Sequence, residues 1–154
     1  DLFQTGGDVF DPELVGDENQ LFINDGKGRF SLFFPPSGSG LGRQAVHRGA
    51  AFGDYDNDGD VDIVVATNGG RPELLENVGA SGHFVRALLP QRSAGAAVRA
   101  EFGGRSLTEQ MLIGGGYLGS SDPRLLFGIG ESCEATLTVG GVSVQVAAGE
   151  SASF

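Results

Sequence analysis

The sequence predicts an all-β fold: one and a half propeller-type blades followed by an antiparallel β-sandwich-like domain. Three observations predict it. Gly makes up 27 of 154 residues and sits between short apolar runs, the pattern of strands joined by tight turns. No segment holds an i, i+3, i+4, i+7 apolar stripe through three turns, so helix is not expected. The N-terminal part repeats itself, and the C-terminal part alternates apolar and polar residues with period two.

The repeat places "DLFQTGG" at Asp1 over "DIVVATNGG" at Asp62, and "NQLFINDGKGRF" (Asn19 to Phe30) over "PELLENVGASGHF" (Pro72 to Phe84). Asn24 then meets Asn77, Gly26 meets Gly79 and Phe30 meets Phe84. Each copy reads as strand, loop, strand, Gly-containing hairpin, strand, and the Asp-Gly of "NDGKG" tolerates the positive φ of a tight turn. Residues 8–18, "DVFDPELVGDE", are an insertion in the first copy. They read as a solvated acidic loop or, more sharply, as a second cation site. Only the second copy is preceded by "AVHRGAAFGDYD". The first domain therefore spans residues 1–90, with a partial blade at 1–33 and a full blade at 45–89. Residues 31–44 form a linker whose "GSGLG" lacks the strand, helix and Lys-Ser/Thr that a phosphate-cradling loop requires.

Residues 91–154 form the second domain. In "AAVRAEF", Val98, Ala100 and Phe102 face one way and Arg99 and Glu101 the other, before a two-residue turn at Gly103-Gly104. "ATLTV" and "VSVQV" alternate around a second such turn, Gly140-Gly141, with Leu137, Val139, Val142, Val144 and Val146 on one buried face. Antiparallel strands with one wet side have this pattern.

A formal net charge of −10 argues against nucleic acid and anionic membrane surfaces, and it suits a protein that binds cations. No apolar run approaches the roughly 20 residues of a spanning helix, so membrane insertion is not expected. The chain starts at Asp1 rather than Met and shows no signal peptide, as a processed product or a fragment would. Cys133 is the single cysteine, so no intrachain disulfide forms.

The candidate site is "GDYDNDGDVDIVV", Gly53 to Val65. Asp54, Asp56, Asp58, Asp60 and Asp62 occupy alternate positions in it. Carboxylates at positions 1, 3 and 5, Gly at 6 and a carboxylate at 9 suit Ca²⁺, a hard ion that takes six to eight oxygens at about 2.3–2.6 Å. Asp54, Asp56 and Asp58 are the expected side-chain ligands and Gly59 the residue that permits the turn. Asp60 is expected to offer mainly its backbone carbonyl, and Asp62 to close the site directly or through water. Val65 stands where an EF-hand would need Glu, so the loop joins strands rather than helices. Mg²⁺ favours a smaller octahedral shell, and soft metals have no Cys or His here.

"AAFGDYDNDGDVDIVVATNG" resembles an FG-GAP (VCBS) repeat, the blade unit of integrin-α-type β-propellers. Phe52-Gly53 matches the FG signature, and Asp54 to Asp62 match the D-x-D-x-D-G-x-x-D calcium loop. Residues 93–154 resemble the ASPIC/UnbV domain of cartilage-acidic-protein-like secreted proteins, with "GGGYLGSSDPRLLFGIG" (Gly114 to Gly130) as the matching core. "VGGVSV" stands in place of that family's usual Trp-Pro-Ser-Gly. The resemblance implies a secreted or cell-surface, calcium-stabilised β protein of adhesive or structural use, without an established enzymatic activity.

Enzymatic raw materials are thin. His47 and His83 read as surface or blade-packing residues, and Cys133, between acidic neighbours, reads as inert. Ser120-Ser121-Asp122 reads as a turn into "PRLLF". The expectation is a non-enzymatic calcium-binding module that contacts other protein chains, matrix or glycan. The half blade leaves strand edges open, which suits either a piece of a longer protein or copies that complete one another in a filament. A non-catalytic accessory domain of a larger secreted enzyme is a further alternative.

Overall fold

The computed structural model describes residues 1–8, 16–79, 82–117 and 119–154, so most of the acidic insertion weighed as a second cation site lies outside the described residues. The chain is all-β, with fifteen strands and two single-turn 3-10 segments among those residues. They form two compact units.

The first unit comprises Asp1–Ala51, Ile63–Glu76 and Gly116–Gly119. Strands β1 (Leu2–Gln4), β2 (Gln20–Asn24) and β3 (Phe30–Leu32) form the expected antiparallel meander, in register Leu2↔Phe22↔Leu32. The Asp25 carboxylate shapes the β2–β3 turn by accepting the N–H groups of Lys27 (2.8 Å) and Arg29 (3.2 Å). Gly26 and Gly28 supply φ of +75° and +80° there, which side chains rarely adopt. Period-two geometry puts Leu2, Phe22, Phe30 and Leu32 on one face and Phe3, Leu21 and Ile23 on the other. None of these side chains is fully buried; Phe30 is 45% exposed.

Strands β4 (His47–Gly53), β5 (Asp62–Thr67) and β6 (Glu73–Leu75) form the second sheet, β5 in the centre. β4 leaves this unit after Ala51 and β5 enters it at Ile63, so the loop between them belongs to the other unit. His47 is fully buried, its Nε2 3.3 Å from Glu73 Oε1, an oxygen that also takes Arg43 Nη1 at 3.1 Å. His47 is thus a packing residue of the blade, as the sequence suggests.

The second unit comprises Phe52–Asp62, Asn77–Gly115 and Ser120–Phe154. Strands β8 (Ala97–Phe102), β9 (Arg105–Gln110), β13 (Glu134–Val139) and β14 (Val142–Ala147) make an antiparallel sheet in the order β14-β13-β8-β9. Both expected glycine turns are present: Phe102 pairs with Arg105 and Val139 with Val142. All four turn glycines have positive φ, the requirement of the turn type that matches strand twist. The facing sheet holds β7 (His83–Leu88) between β12 (Leu125–Gly130) and β15 (Ser151–Ser153). The short strands β10 (Gly115–Gly116) and β11 (Gly119–Ser120) pair with each other. Val85, Ala87, Phe127, Ile129 and Ala152 from the three-stranded sheet meet Val98, Ala100, Ala135, Leu137 and Val146 from the four-stranded one in a single core.

Two features differ from the sequence reading. The sequence assigns 83–88 to the second blade, yet β7 pairs with β12 and β15. Val85, Arg86 and Ala87 are buried in succession, as in a strand covered on both faces and flanked on both sides. β15 also runs parallel to β7, so the sandwich is not wholly antiparallel. Of the expected face, Leu137 and Val146 are buried, Val139 and Val144 half-buried, and Val142, beside the turn, 60% exposed. Leu137→Ala is expected to cost about 2–5 kcal/mol in denaturant unfolding, as core truncations do. Val142→Ala should stay within about 0.5 kcal/mol of the parent in the same measurement.

Candidate metal centre

β4 ends at Gly53 and β5 begins at Asp62, so the aspartates lie on a tight connection between two strands. Asn57 (φ +66°) and Gly59 (φ +98°) turn the backbone through left-handed conformations. A Cβ on Gly59 would stand 2.0 Å from Phe84 Cδ1, so backbone conformation and packing both demand glycine here. One carboxylate oxygen from each of Asp54, Asp56 and Asp58 falls within 4.8 Å of the others. Among the described residues no other three His, Cys, Asp or Glu side chains converge in this way.

The loop is knitted by its own carboxylates. Asp54 Oδ2 accepts the Gly59 N–H at 3.1 Å, Asp56 Oδ1 that of Asp58 at 3.3 Å, and Asp58 Oδ1 that of Asp60 at 2.8 Å. The buried Asp62 closes the loop: Oδ2 accepts the Tyr55 N–H at 3.1 Å and Oδ1 the Asn77 N–H at 2.9 Å. The structure therefore groups Asp54, Asp56 and Asp58 as the sequence expects. Asp60 and Asp62 stand outside that group, and Asp62 is engaged as a brace.

Charge repulsion and burial leave their mark. The Asp60 carboxyl is raised above the usual carboxylate range by burial first, and then by the charges of Asp58, Asp62, Asp54 and Asp56. Asp54 is only 5% exposed, and its Oδ1 is buried without a hydrogen-bond partner, as is Asp60 Oδ2. Buried acceptors without partners are costly, so these oxygens suit a cation that would take them up. The donor set is all hard oxygen, which fits an alkaline-earth ion.

Residues far away in sequence hold the loop. Arg86, on β7, donates from Nη2 to Asp54 Oδ2 at 2.5 Å, with its guanidinium 4.5 Å from the centre of the Phe84 ring. Asp54 thereby has one oxygen on Arg86 and the other free. Arg124 donates from Nη2 to the Asp54 carbonyl and from Nη1 to Asn57 Oδ1, each at 2.9 Å. Its Nε donates to Asp122 Oδ2 at 2.7 Å. Burial pushes the Asp122 carboxyl up, but hydrogen bonds from the Arg124 side chain and backbone outweigh it, and the net shift is downward. The hydrogen bond with Asp122 correspondingly raises Arg124. The Asp122 N–H donates to the Phe52 carbonyl at 2.8 Å, and the Phe52 N–H to Ser121 Oγ at 3.2 Å.

Arg86, Arg124, Asp122 and Ser121 are what the sequence reading missed. Ser120-Ser121-Asp122 passes for a plain turn because the partners of Ser121 and Asp122 lie about seventy residues earlier in the chain. The one local signal is an arginine buried in the middle of an apolar strand, Arg86 in "HFVRAL". His83 Nδ1 lies 3.0 Å from the Ser132 carbonyl oxygen, and Cys133 is a free, exposed thiol.

The model of the FG-GAP-like repeat matches residues 11–65, and that of ASPIC and UnbV matches residues 90–140. The chain is therefore similar to an FG-GAP-like repeat followed by an ASPIC/UnbV segment, in the order expected from the sequence. Comparison with curated proteins gives no match. Gly59→Ala is expected to lower unfolding stability by more than about 1 kcal/mol, from backbone strain and the Phe84 clash together. Gly141→Ala, with positive φ but open space around it, should cost less in the same assay.

Proposed function

We propose that the chain is a calcium-binding structural module of an extracellular β-repeat protein, in which the ion rigidifies the connection between β4 and β5. The observation that carries this reading is the convergence of Asp54, Asp56 and Asp58, with Asp54 Oδ1 buried and without a partner. These three side chains would hold the ion, which Asp60 and Asp62 surround with further negative charge. The ion supplies charge compensation: it replaces repulsion among carboxylates with attraction to a common centre. The FG-GAP-like and ASPIC/UnbV segments support an extracellular-type module, and among the described residues no helix is long and apolar enough to cross a membrane. The likeness of the two segments to FG-GAP-like and ASPIC/UnbV sequences supports structural or adhesive use.

Free Ca²⁺ at a hundred times its Kd should stabilise the chain by about 2.7 kcal/mol through linkage, and chelation should remove that gain. Asp56→Ala or Asp58→Ala should abolish the response in differential scanning calorimetry. A Tm indifferent to both calcium and chelator would sink the reading.

The β1–β3 sheet favours a second reading, contact with other chains or with copies of this one. Phe30 and Leu32 are exposed on one face and Ile23 on the other, so apolar surface is open on both sides. Sedimentation velocity should show concentration-dependent association that Leu32→Glu reduces without changing the circular dichroism spectrum. A parent chain that stays monomeric at all concentrations would rule this reading out.

A further inference from the structure

We propose that Arg124, locked in place by Asp122, is the positioning residue of the aspartate loop, so that the ASPIC/UnbV segment sets the cation affinity of a loop within the FG-GAP-like repeat. The inference rests on the calcium reading above for its affinity arm only. The loop lies inside the 11–65 match, whereas Asp122 and Arg124 lie inside the 90–140 match.

The geometry is that of a clamp. The Asp122 carboxylate accepts the Arg124 backbone N–H at 2.9 Å and Nε at 2.7 Å, which fixes the direction of the guanidinium. Nη2, which also pairs with Asp122 Oδ2, then reaches the loop at the Asp54 carbonyl, and Nη1 reaches it at the Asn57 side chain. Asp54 is the first residue of the metal-ligand cluster, and Asn57 sits between Asp56 and Asp58. Asn57 is also the loop's one non-glycine residue with positive φ, a left-handed conformation that asparagine tolerates better than most residues and that the Arg124 contact holds in place. The planar fork of arginine can hold Asp122, Asp54 and Asn57 at once; the point charge of lysine cannot. The main-chain bond from the Asp122 N–H to the Phe52 carbonyl tethers the same segment to the strand that enters the loop.

A charge argument makes this inference testable by sign. Arg124 places a positive charge beside a cation site. If it acted only through its charge, its removal would tighten calcium binding. As a positioning group it lowers the cost of gathering three carboxylates, so its removal weakens binding. Groups that orient metal ligands in this way typically cost 10–100-fold in metal affinity when lost.

The experiment uses the whole chain as Arg124→Ala, Arg124→Lys and Asp122→Asn, with two readouts. Calorimetric titration with CaCl₂ should give a Kd about tenfold or more above the parent for all three, including Arg124→Lys, which keeps the charge. Hydrogen exchange on metal-free protein should show the Gly59 and Asp60 amides exchanging about tenfold faster, with the amides of β8 and β13 unchanged. Equal or tighter calcium binding in Arg124→Ala, or unchanged loop exchange in Arg124→Lys and Asp122→Asn, overturns the proposal. A parent chain that takes up no calcium overturns the affinity arm together with the calcium reading, while the exchange readout still decides whether Arg124 positions the loop.

Discussion

The carboxylate of Asp54 is the point on which the second unit turns. One oxygen receives Arg86 from the central strand of the sandwich and the Gly59 N–H from its own loop; the other is buried and open. A buried ion pair of this kind is costly to assemble and costlier to break, because removing either partner strands the other charge. Arg86 therefore ties loop and sandwich together, and the stacked Phe84 ring fills the space under Gly59. The compact unit accordingly takes in Phe52–Asp62 and excludes the strand segments on either side.

The loop works by dividing labour among chemically identical residues. Asp62 has both oxygens occupied by backbone donors and stabilises the turn. Asp54, Asp56 and Asp58 converge on one centre. Asp60 has its pKa raised, by burial first and then by the charges of the other four. Alternation in sequence puts the five carboxylates close together, but the backbone donors that reach them decide what each can still do.

Much of this was legible in advance for a local reason. Asp-Gly and Gly-Gly turns, period-two strands and the spacing of the aspartates are encoded within ten residues, and the structure realises each at its expected place. What was not legible is long-range. "HFVRAL" reads as a strand of the second blade because its apolar residues suit any sheet. Only the presence of β12 and β15 makes it the centre of another one. Asp122 and Arg124 look like turn residues until the loop about seventy positions earlier folds back to meet them. The insertion at 8–18 has no second copy to compare with, and its acidic composition alone does not separate a solvated loop from a cation site.

β7 has a consequence for the order of events during synthesis. It is the middle strand of its sheet, yet its neighbours come from residues 125–130 and 151–153. Contacts that span so much chain form slowly, because loop closure must precede any gain from pairing. The aspartate loop leaves the ribosome well before Asp122 and Arg124. For that interval it lacks the Arg124 contacts and has only the hydrogen bonds available within itself and to nearby residues. Completion of the contacts around the aspartate loop thus depends on the far end of the sandwich as well as on the repeat in which the aspartates are written.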